Sequence, residues 1–65
     1  MAEEFLKMKA VVARTTLSET TIRRLLSEGR FPGPVRLGPG RVAWRASEVD
    51  AAMERLILEQ REASR

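Results

Sequence analysis

The chain has no cysteine and no histidine among its 65 residues. Disulfide staples are therefore excluded, as are the commonest transition-metal ligands, the thiol nucleophile and the usual acid–base group. Aromatics are scarce, with Phe5, Phe31 and Trp44 the full set, so there is no row of stacking platforms for single strands. No apolar run approaches the roughly 20 residues that span a bilayer, and no signal-peptide core is visible. Internal repeats and low-complexity stretches are absent. The lack of cysteine fits a cytoplasmic protein. A chain this short buries only roughly 60% of its unfolded surface, so it makes one domain with a modest apolar core. That domain takes in residues 1–65, with its core from about residue 6 to 60 and loose ends. No carboxylates cluster in a recognisable cleft, and Ser18 and Ser47 read as helix caps rather than nucleophiles. Gly38-Pro39-Gly40 suggests a phosphate loop only superficially, because no helix follows it and Pro39 removes an amide. The chain does not read as an enzyme, and no cofactor, metal or small-molecule substrate is expected.

Charge is what the chain does have. The net value is only +3, but between Arg14 and Arg45 lie seven arginines against Glu19 and Glu28 alone. Residues 1–13 are neutral and residues 46–65 are net acidic. Positive charge thus falls on the middle of the chain, the footprint of a polyanion-binding face.

Hydrophobic spacing places elements around that charge. Met1 to Phe5 reads as a loose end. A first helix is predicted over about Lys9–Thr15, with Met8, Val11 and Val12 inward. Thr15-Thr16-Leu17 is a tight connection to a second helix that Ser18 caps, its hydroxyl accepting from the amide of Thr20 or Thr21. Leu17 and Ile22 form a hydrophobic staple, Ile22, Leu25 and Leu26 line one face, and Gly29 ends the helix. Phe31-Pro32-Gly33-Pro34 breaks the chain. Val35-Arg36-Leu37 and Val42-Ala43-Trp44 then alternate around Gly38-Pro39-Gly40-Arg41 as a two-stranded hairpin. Period two puts Val35, Leu37, Val42 and Trp44 on one side, Arg36 and Ala43 on the other, with Trp44 in the core rather than stacked on bases. Ser47-Glu48-Val49-Asp50 resembles a capping box that opens a third helix. Val49, Met53, Leu56 and Ile57 would close the core, and Leu58 would lie half a turn away.

Two helices on a short turn followed by a basic ribbon can grip duplex DNA at two places, helix in the major groove and ribbon along the backbone. The residues also carry a family resemblance. Leu6-Lys7-Met8, Leu17-Ser18, Thr21-Ile22-Arg23-Arg24-Leu25, Gly29-Arg30-Phe31-Pro32, Pro34-Val35-Arg36-Leu37-Gly38, Val42-Ala43-Trp44 and Ser47-Glu48-Val49 follow in order and spacing. Together they resemble AlpA-like phage and prophage regulators, relatives of small excisionases and MerR-type DNA-binding domains. The resemblance covers roughly residues 6 to 55, and its F-P-x-P-V-x-L-G segment followed by V-x-W is its most specific part.

That resemblance implies an α+β, mostly α, winged helix-turn-helix of three helices and a two-stranded wing. It implies recognition-helix positions at Ser18, Glu19, Thr20, Thr21, Arg23 and Arg24, and wing contacts at Arg36, Gly38, Gly40 and Arg41. Three departures stand out. Thr16 takes the place of the usual glycine of the turn, which puts that turn's positive φ at issue. Arg23 stands where an aromatic is common, and Ala52 replaces a frequent tryptophan, leaving a thinner core or a surface for another subunit.

The expected function is sequence-specific binding of double-stranded DNA by a phage or mobile-element regulator, either an excisionase or an AlpA-type transcriptional regulator, inside a bacterial host. Partners beyond DNA would be an integrase, or further copies in head-to-tail assembly through residues such as Leu58, since one small module covers a short site. No membrane is expected as a partner. The rival reading is a protein-interaction module, antitoxin-like or adaptor, using Leu58 and the third helix.

Overall fold

A computed structural model describes residues 3–63. In chain order they form β1 (Phe5–Leu6), α1 (Met8–Thr15), α2 (Glu19–Ser27), β2 (Val35–Gly38), β3 (Arg41–Arg45) and α3 (Ala46–Ala63). The architecture is mostly helical α+β, a winged helix-turn-helix whose hairpin gains a third strand. Among the described residues no helix is long and apolar enough to cross a membrane.

Helix α2 has sequence chemistry at both ends. Ser18 is extended at φ −71° and ψ 159°, and its Oγ accepts from the Thr21 amide at 3.1 Å. At the other end Gly29 sits at φ +72°. Its N–H reaches the Leu26 carbonyl while the Arg30 N–H reaches that of Leu25. This is a Schellman stop, which glycine enters without a Cβ penalty.

The turn before α2 keeps the geometry at issue: Thr16 is left-handed at φ 64°. Its N–H satisfies the Val12 carbonyl at 2.8 Å, and its hydroxyl donates to the Thr15 carbonyl. Buried Thr15 steadies the same turn, its Oγ1 donating to Val11 O and accepting from Leu17 N. A β-branched residue in this region is strained. Thr16→Gly removes a penalty larger than the entropy glycine adds, so it is expected to stabilise by about 1 kcal/mol. A thermal melt should rise by roughly 4–8 °C; an unchanged or lower midpoint would show that the strain is relieved elsewhere.

The sheet revises two expectations. Its order is β1-β3-β2, antiparallel throughout. Phe5 pairs with Arg45 and Leu6 with Trp44, so Phe5 belongs to a strand, not a loose end; Met1 and Ala2 lie outside the described residues. In the hairpin Val35 faces Ala43 and Arg36 faces Val42, with an irregularity between Arg36 and Gly38. Cross-strand partners share a face, so the split that grouped Val35 with Val42 and Arg36 with Ala43 is wrong. Ala43 is buried, whereas Leu37 and Val42 are about half exposed, at 54% and 49%. Alternation failed because the irregularity at Leu37 breaks the period of two.

The core collects Leu6, Val11, Ile22, Leu25, Phe31, Trp44, Ala46, Val49 and Ala52, with Met8, Val12, Leu17, Leu26 and Leu56 packed against it. Trp44 lies in it as expected, its Nε1 donating to the Pro32 carbonyl at 2.8 Å. Ala52 is buried, and a hollow of about 280 Å³ lies beside it between α3 and residues 29–32. Ile57 is exposed at 38%, not core, because α3 runs on past Leu56, beyond the body it packs against.

The capping box at Ser47 is also revised. Strand β3 passes directly into α3 at Ala46, leaving Ser47 inside the first turn. The Glu3 carboxylate takes the capping role, accepting from the Ser47 amide at 3.2 Å and hydroxyl at 2.7 Å. The Ala46 amide meanwhile donates to the Glu4 carbonyl. Asp50 turns instead to Arg14, which donates to both its oxygens at 2.9 Å. The Ser47 hydrogen bonds hold the Glu3 carboxyl below its ordinary value, and the Arg14 hydrogen bonds do the same for Asp50. Depressed folded-state values give stability that is complete above the ordinary carboxylate range and lost as pH falls through them. A Glu3→Gln/Asp50→Asn variant is therefore expected to show a flatter acid limb than wild type in melts taken between about pH 6 and pH 3. Parallel limbs would remove these two carboxylates from the acid response.

Candidate nucleic-acid interface

Ile22 and Leu25 point α2 into the core, which leaves Glu19, Thr20, Arg23, Arg24 and Ser27 exposed. The nearby side chains then compete for one another. Arg23 donates to Glu19 at 2.6 Å, and Arg24 lies 3.4 Å from Glu28. Ser18 Oγ also donates to Thr21 Oγ1 at 2.9 Å, so both hydroxyls serve the cap. Thr20 is left as the uncommitted hydroxyl on the outer face. Exposed i,i+4 ion pairs contribute only about 0.3–0.5 kcal/mol, so both arginines can exchange carboxylate for another anion at little cost.

The hairpin differs electrostatically. Arg36 and Arg41 are exposed and form no ion pair with any described residue. Pro39-Gly40 makes the tip, with Gly40 at φ +68°; proline followed by a positive-φ glycine is the residue pattern of a type II turn. The tip thus holds Arg41 at the start of β3, opposite Gly38.

Helix and hairpin meet across a groove of about 500 Å³. Arg23 reaches it from α2, Gly40 and Arg41 from the hairpin, and Lys7 and Met8 from the start of α1. Leu26, Leu37 and Val42 supply apolar lining, and no carboxylate among the described residues lines it. The fold therefore brings Arg23, Gly40 and Arg41 together, while Ser18, Glu19, Thr20, Thr21, Arg24, Arg36 and Gly38 lie outside this groove. Lys7 was not legible as a member. Its only signal was a positive charge just before a helix, and its place depends on how α1 packs beside the hairpin. Among the described residues no group of acidic, histidine or cysteine side chains is placed to hold a metal ion.

Comparison with known proteins adds the family. Residues 4–57 match the family described as prophage CP4-57 regulatory protein (AlpA). The chain belongs to the AlpA family. The matched span opens just before β1 and ends at Ile57, so it takes in every element that builds the core and the groove. This AlpA-family chain is also 45% identical over 51 residues to the uncharacterized protein ORF88 of Enterobacteria phage P4. That alignment covers 78% of the chain but 58% of the phage protein, so the chain spans less than two thirds of that relative's length. No solved structure matches.

Proposed function

We propose that this AlpA-family protein is a regulator that binds double-stranded DNA, with α2 in the major groove and the β2–β3 hairpin across the adjacent backbone. The observation that carries the reading is the groove where Arg23 of α2 and Arg41 of the hairpin converge with Lys7, free of lining carboxylates. A face built this way attracts a polyanion at range and offers it two separate elements to dock against. Thr20 and Arg24, i and i+4 on the outer face of α2, are the base-reading candidates; Arg36 and Arg41 are backbone contacts. The family's description as a prophage regulatory protein supports a regulatory role, and transcriptional control at a promoter is one form of it. Action as an excisionase, with an integrase as partner, uses the same contacts. The exposed Leu58 at 54% is the first candidate for contacts between copies, or for an adaptor partner if DNA is not the ligand.

Footprinting over the DNA flanking the protein's own gene tests the reading. Protection of a defined site is expected, confined to a promoter for a transcriptional regulator and spread over repeats for an excisionase. No protection at any duplex site would leave the interaction-module reading. Within a site so found, Arg41→Ala should weaken binding evenly across sequences and lower the salt slope by about one unit, and Arg36→Ala should do likewise. Unaltered slopes in both variants would mean that the hairpin does not touch DNA.

A further inference from the structure

The groove between α2 and the hairpin has a feature that phosphate binding alone does not explain. Its rim is cationic, with Lys7, Arg23 and Arg41, but Leu37 and Val42 keep apolar surface open to solvent there, 54% and 49% exposed. Neither is needed by the core, which forms without them. Bare phosphate oxygens gain nothing from such a lining, and desolvating them against it is costly. An occupant that alternates anionic groups with apolar surface satisfies both halves of the groove.

We infer that the groove seats the sugar–phosphate backbone of one DNA strand, with Lys7, Arg23 and Arg41 on phosphates and Leu37 and Val42 against the deoxyribose. This rests on the DNA-binding reading above. A helix in the major groove and a hairpin across the adjacent backbone bracket the one strand that edges that groove. The crevice between helix and ribbon is where that strand runs. The charge pattern agrees, because cations come from both walls and no described carboxylate lines the space. A sugar edge pressed on leucine and valine also has a chemical consequence. A 2′-hydroxyl there would lose its water and find no partner on either side chain, so the groove selects deoxyribose over ribose.

A ribonucleotide scan of the footprinted site tests this with the wild-type protein. Single ribonucleotides are placed in turn along each strand of the duplex, and affinity is measured by fluorescence anisotropy. The expected result is a loss of roughly tenfold at one or two adjacent positions on a single strand, with other positions neutral. Leu37→Ser and Val42→Ser, exposed enough to leave the fold intact by circular dichroism, should bind all-DNA duplex more weakly. They should also erase most of the ribonucleotide penalty, since a hydroxyl can now pair with the 2′-hydroxyl. Cognate binding with no sensitive position, or serine variants that keep full affinity and the full penalty, would overturn the inference and leave DNA binding standing. Self-association of wild type that Leu37→Ser abolishes would also overturn it, by showing a second copy in the groove. Absence of cognate duplex binding would instead defeat the DNA-binding reading itself.

Discussion

Replacing Trp44 by alanine is expected to leave the chain largely unfolded at 25 °C. The indole is 5% exposed, stands opposite Leu6 across the β1–β3 pair, and donates to the Pro32 carbonyl. Truncating a buried aromatic costs about 3–5 kcal/mol, and a carbonyl left without its donor adds to that. At about 0.05–0.15 kcal/mol per residue, a domain of this size holds roughly 3–10 kcal/mol, and such a loss removes half of that or all of it. Trp44→Phe separates the two contributions. It keeps most of the ring packing and drops the hydrogen bond, so it should melt below wild type but cooperatively. A Trp44→Ala variant with a melting midpoint near that of wild type would show that Trp44 does not hold the hairpin to the helices.

Arg24→Ala should cost about 1–3 kcal/mol on the cognate duplex, a loss of roughly 5- to 150-fold, if its guanidinium reads a guanine. The side chain is exposed on the outer face of α2 one turn after Thr20, and its competitor Glu28 holds it only weakly at 3.4 Å. Random-sequence affinity should change far less, and the preference for the cognate site should shrink accordingly. Equal loss on both duplexes would make Arg24 a phosphate contact. No loss on either would remove it from the interface. Its stability readout is simple, since the exposed side chain contributes nothing to the core and the melt should be unchanged.

Local chemistry was legible where a single residue type decides the geometry. Ser18 and Gly29 bounded α2, Leu17 and Ile22 framed its entry, and Trp44 was assigned to the core by size and register. What stayed hidden depended on residues far apart in sequence. Glu3 caps α3 from 44 positions away, and nothing local distinguishes it from any surface glutamate. Ser47 carried the stronger capping pattern and lost because α3 starts at Ala46, which puts Arg45, the last residue of β3, before the helix and Ser47 inside its first turn. The hairpin register failed for a different reason. One irregularity at Leu37 pairs Arg36 with Val42 and Val35 with Ala43, where unbroken alternation from the Gly38–Arg41 end would pair Leu37 with Val42. Leu37 at that irregularity and Val42 beside the hairpin tip both stay exposed in the groove, which a simple alternation of buried and exposed residues did not reveal. Recognition-helix candidates were read as one set, yet the cap takes Ser18 and Thr21, and Glu19 holds Arg23.

The salt dependence of binding to the footprinted duplex tests the central claim most directly. Lys7, Arg23 and Arg41, which line the groove, and the exposed Arg36 on β2 should displace counterions together when α2 and the hairpin dock. At about 0.9 per neutralised phosphate, the plot of log affinity against log salt should fall with a slope of roughly −3 to −4. Arg23→Ala combined with Arg41→Ala should flatten that slope by about two units, with an unchanged melt. A steep wild-type slope that the double variant reduces is the expected result. A slope near zero, or a steep one that the double variant leaves untouched, would contradict a DNA interface built from this helix and this hairpin.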